Sequence, residues 1–163
     1  MKELLTFPPI VILYLALKTT LFPAIPVPDV TLLIVFYMGF RKPSAEGAVT
    51  AFALGFLEDA LTGGILGVTS FSLVFVFLTV HLVARKVEFG TPLIRAGSAA
   101  ALTLMKWLLV YTVLKIAGIG IPFSGLAALQ IIVTGAAAPA AITLLMRLSA
   151  YLSPGRLNGV SKR

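Results

Sequence analysis

The chain has 163 residues, 59% of them hydrophobic and 12% charged, with a mean hydropathy of +1.05. Thirteen Lys and Arg against six Asp and Glu give a net charge of +7, and there is one His and no Cys. A water-soluble domain could not hide this much apolar surface, and without cysteine no disulfide framework, thiol nucleophile or thiolate metal site can form.

A hydrocarbon core about 30 Å thick needs roughly 20 helical residues to cross, so the length suits about six spans with short loops. Predicted spans run over 4–22, 28–40, 45–62, 68–84, 93–115 and 126–148. They form a transmembrane domain over 1–152, followed by a short, mobile, basic tail over 153–163. The first span is longer than a signal-peptide core, and Pro23, Pro26 and Pro28 follow it without a small-residue cleavage site, so it is expected to stay.

The second span is short. Its apolar part, Val30 to Phe40, covers only about 16 Å of helix, so it must be shielded by neighbouring helices or be partly re-entrant. The cations favour a full crossing. With the N-terminus inside, Lys2, Arg41, Lys42, Arg85, Lys86, Arg95, Arg147, Arg156, Lys162 and Arg163 all fall on the inner side, ten of thirteen. Both termini are then cytoplasmic, and in a bacterium the chain is a multi-pass inner-membrane protein. Charges placed this way reflect topology, so a nucleic-acid partner is not expected.

In the third span Gly47, Ala51, Gly55 and Asp59 recur every four residues, a smooth strip that allows close helix contact. The strip serves either internal packing or docking of another protein's helix. Glu58 and Asp59 lie near its outer end, where unpaired charges cost roughly 2.5–3.5 kcal/mol on insertion scales. An outer-leaflet cluster of Lys18, Asp29, Glu58, Asp59 and Lys106 would satisfy them, with Lys115 also in reach. The competing expectation is that each charge snorkels separately to water. Lys106 discriminates, because it sits within its span beside Trp107.

Adjacent Glu58 and Asp59 point about 100° apart on a helix and cannot flank one bond, so they do not suggest acid–base catalysis. His81 stands alone, without the spacing of a metal site or a triad. Gly63-Gly64-Ile65-Leu66-Gly67 lacks the Lys-Ser/Thr of a phosphate cradle and reads as a tight turn. In the sixth span, Gly135 to Ala141 is smooth and interrupted by Pro139, suited to close packing, a bend or a transport path. No enzyme activity, metal or cofactor is expected.

A proline-rich turn ending in Pro28-Asp29, a short apolar segment, a basic turn, Gly47 through Gly55-Phe56-Leu57-Glu58-Asp59, and Leu66-Gly67 followed by Ser70 resembles the rod shape-determining protein MreD family. The specific part runs from about Pro28 to Ser70, and the second half resembles the family by hydropathy alone. The resemblance implies a non-enzymatic membrane subunit of the bacterial elongation machinery. Its implied partners are the bitopic protein MreC and, through it, MreB, the glycosyltransferase RodA and a class B penicillin-binding protein. It also implies a six-helix bundle like that of the S components of ECF transporters. On this basis the smooth face of Gly47, Ala51 and Gly55 and the outer polar cluster would hold the transmembrane helix and membrane-proximal segment of MreC, with Asp59 and Gly67 as further helix-packing or partner-binding positions, and Gly55→Leu would abolish that complex while leaving the bundle inserted. The alternative is a true small-molecule-binding subunit, with Trp107, Tyr111, Phe123 and Ser124 lining an outward pocket.

Overall fold

A computed structural model describes residues 9, 11–14, 16, 27–41, 45–86, 91–119 and 125–152. Among them the chain forms helices joined by short turns, with no strand. Residues 9, 11–14 and 16 belong to a first helix, α1; then come α2 (Val30–Arg41), α3 (Ala45–Thr62), α4 (Val68–Val83), α5 (Pro92–Ile116) and α6 (Gly125–Leu152). α2 to α6 match the predicted spans in order and, within a few residues, in extent; the ends of the first predicted span lie outside the described residues. α5 and the 127–147 part of α6 are long and apolar enough to cross a membrane; α2 and α4 are apolar but shorter.

The short segment is the centre of the molecule. Every residue of α2 from Thr31 to Gly39 is buried, and α2 packs against α3, α4, α5 and α6. A helix apolar on all sides must be enclosed on all sides, which explains how so short an element is accommodated. Its neighbours approach closely where side chains are small: a Cβ on Gly39 would come within 2.8 Å of Val80 Cγ1.

α3 and α4 form an antiparallel hairpin. α3 ends at Gly63, whose positive φ of 69° lets the chain reverse, and the Gly64 N–H returns to the Asp59 carbonyl at 3.1 Å. α5 starts on Thr91, whose hydroxyl accepts from the Ile94 N–H, with Pro92 in its first turn. α6 continues through Pro139 and packs on α5, where a Cβ on Gly135 would meet Ala100 Cβ at 3.0 Å. The smooth segment of the sixth span is therefore used in close packing.

Candidate functional site: a buried ionic node

Asp29 precedes α2 and performs two tasks. Its Oδ1 accepts from the Leu32 N–H at 3.0 Å, capping the helix, and its backbone carbonyl accepts from Leu33 N at 3.0 Å. Its Oδ2 accepts from Lys106 Nζ at 2.6 Å. The same ammonium reaches both carboxylate oxygens of Glu58, at 3.2 and 3.3 Å. All three side chains are buried; the residues are 3, 8 and 7% exposed for Asp29, Glu58 and Lys106. Lys106 therefore joins the start of α2 to α3 and α5 instead of snorkelling.

Further polar bonds extend the node to the other helices. The Asp29 N–H donates to Thr134 Oγ1 of α6 at 3.0 Å, and Thr134 is fully buried. The Tyr14 hydroxyl of α1 donates to the carbonyl of Pro28. In a medium without water a bare backbone or ionic group costs several kcal/mol, so these groups find one another.

Asp59 is not in this node. Its side chain points to the α3–α4 turn, where Oδ2 accepts from the N–H groups of Gly67 and Thr69 at 2.9 and 3.1 Å. It thus supplies the anionic cap that α4 lacks locally, since Gly67 has no side chain and sits at φ 97°. Adjacent residues on a helix diverge by about 100°, which sends Glu58 to α5 and Asp59 to α4. Lys18, the remaining member of the expected cluster, lies outside the described residues, and Lys115 is exposed in the last turn of α5.

Of the two uses expected of the strip of small residues, internal packing is the one seen among the described residues. Gly47, Ala51 and Gly55 are all buried within the chain. A Cβ on Gly55 would lie 2.4 Å from Ser70 Cα and 2.6 Å from its backbone nitrogen, so α4 itself occupies the place proposed for a partner helix. Gly67 is taken up by the cap of the turn.

Beside the node lies a cavity of about 210 Å³. Asp29, Glu58 and Lys106 form one wall, and Thr69, Trp107, Val110 and Gln130 complete the lining. Tyr111 is not among these residues, and Phe123 and Ser124 lie outside the described part. Thr134, Tyr14, Thr69 and Gln130 were not singled out in the sequence. The available signal was one polar group in an otherwise apolar run, which does not give its direction.

Comparison with known proteins agrees with this architecture. The family model described as rod shape-determining protein MreD matches residues 4–148. No curated protein and no solved structure matches the chain. The matched range includes α2 to α5, α6 up to residue 148 and the whole ionic node, and the chain belongs to the MreD family of membrane proteins that act in rod-shape determination.

Proposed function

We propose that this chain is a non-enzymatic scaffold subunit of the bacterial rod complex, crossing the inner membrane six times with both termini in the cytoplasm. It binds MreC directly and, through MreC, supports peptidoglycan synthesis by an assembly containing MreB, RodA and a class B penicillin-binding protein. Membership of the MreD family carries this reading.

The polar groups are consistent with it. Asp29, Glu58, Lys106, Asp59, Thr134 and Tyr14 are engaged in joining helices to one another. A bundle braced in this way holds its outer faces in fixed register, as a scaffold requires. With the Gly55 strip enclosed by α4, MreC is assigned to an outward face.

Depletion of the chain from a rod-shaped bacterium should convert rods to spheres, and re-expression should restore rods together with recovery of MreC in the purified complex. Restored shape without any association with MreC would refute direct binding.

The cavity beside the node favours a second reading, a small-molecule-binding subunit like an ECF transporter S component. Trp107 is the sole tryptophan and lines the cavity, so its fluorescence reports occupancy directly. A saturable change with one water-soluble vitamin, lost in Gln130→Ala, would support this alternative; an invariant spectrum across such a panel would remove it.

A further inference from the structure

A second depression lies between α4 and α5, lined by none of the node residues although Met105 adjoins Lys106 in the chain. It has a volume of about 220 Å³, and its wall is formed by Val80 and Val83 of α4 and Ala101, Leu102 and Met105 of α5. Thr79 and Ser98 complete it, but the Thr79 hydroxyl already donates to the Phe75 carbonyl at 2.9 Å. The trough is therefore apolar along its length, and Ser98 to Met105 extends over roughly 10 Å of helix.

One end of the trough is basic. Val83 is the last residue of α4, and the turn beyond it is held by the Lys86 N–H on the Val83 carbonyl at 2.9 Å. Arg85 and Lys86, both exposed, follow the lining residue Val83 by two and three positions, in that turn. Arg95 stands three residues before Ser98, one helical turn nearer the same mouth. The N-terminal end of α5, with its positive dipole end, opens there as well.

We propose that this trough binds an anionic diacyl phospholipid, one acyl chain lying between α4 and α5 and the phosphate at Arg85, Lys86 and Arg95. Charge complementarity selects the occupant: an apolar slot between helices with cations at its membrane-surface end suits an anionic head group. The slot, about 220 Å³ and open along one side, admits a single hydrocarbon chain. The inference requires only that the chain resides in a bilayer, so it stands or falls separately from MreC binding.

Native mass spectrometry of the detergent-solubilised full chain, offered phosphatidylglycerol and phosphatidylcholine of identical acyl composition, tests it. Phosphatidylglycerol should be retained preferentially. Arg85→Gln with Lys86→Gln should reduce its retention roughly fivefold per charge removed, the equivalent of about 1 kcal/mol for each Lys or Arg near an anionic surface. Ala101→Phe, at an exposed position that fills the slot, should abolish it. Circular dichroism monitors the fold, and the charge variant, confined to an exposed turn, keeps the test decisive if Ala101→Phe misfolds. Equal retention of the two lipids by the wild-type chain, or unchanged phosphatidylglycerol retention in the charge variant, would overturn the proposal. So would a protein cross-linked at position 101 in place of lipid.

Discussion

Lys106 and Asp29, 77 positions apart in the chain, meet at 2.6 Å inside the bundle, and Glu58 closes on the same ammonium from a third helix. Removing one member leaves charge buried without its counter-ion. Lys106→Met should therefore destabilise the bundle by about 3–5 kcal/mol, the usual cost of breaking a buried pair from one side. Thermal unfolding in detergent should show the loss. The triple change Asp29→Asn, Glu58→Gln, Lys106→Met should recover much of it, because no uncompensated charge remains. A single substitution as stable as the wild type would show that the node bears no structural load.

Asp59 should behave differently from its neighbour. Asp59→Asn keeps an oxygen for one N–H of the α4 cap but loses the charge-assisted bonds, and it should cost about 1–2 kcal/mol. The effect should be local: faster proteolysis and hydrogen exchange over 63–69, with Lys106 still paired. Equal loss across the whole bundle would place Asp59 in the node after all.

Three glycines give a graded series. Gly55→Ala drives a Cβ into the Ser70 backbone, which cannot move as a flexible side chain could, and should cost about 1–3 kcal/mol or more. Gly135→Ala meets nothing nearer than Ala100 Cβ at 3.0 Å and the Ala96 carbonyl at 3.3 Å, so its cost should be smaller. Gly97→Ala meets nothing within 4 Å on an exposed helix surface and should stabilise by about 0.5–1 kcal/mol. Melting temperatures in the order Gly97→Ala, wild type, Gly135→Ala, Gly55→Ala would establish the series. On the same grounds Gly55→Leu should lower the yield of folded chain itself, a broader defect than the selective loss of MreC expected from the sequence.

The natural absence of cysteine makes topology accessible. Single cysteines at Gly64 and Gly118 should react with an impermeant maleimide from the outer side of intact cells, and one at Lys86 only after permeabilisation. Labelling of positions 64 and 86 from the same side would refute the alternation of spans.

Helix order and extent were legible in the sequence because apolar length, prolines and glycines are local signals. Asp29, Glu58 and Lys106 drew notice because charge within an apolar run requires an explanation. Their pairing is a matter of three-dimensional placement, and so is the divergence of Asp59 from Glu58, although the 100° step between neighbours already separated the two directions. The strip of Gly47, Ala51 and Gly55 was legible as a close-contact face, but periodicity does not say whose backbone fills it; α4 does, at Ser70. α2 shows the opposite case: its shortness suggested shielding, and the burial of Thr31 to Gly39 supplies it.

If this bundle is a scaffold for MreC, affinity purification of the tagged chain after gentle solubilisation, with the co-purifying proteins identified by mass spectrometry, should reveal it. MreC should be recovered with the wild-type chain and with Gly97→Ala, and be absent from an unrelated multi-pass control. Recovery of a pair of ATPases without MreC would contradict the claim.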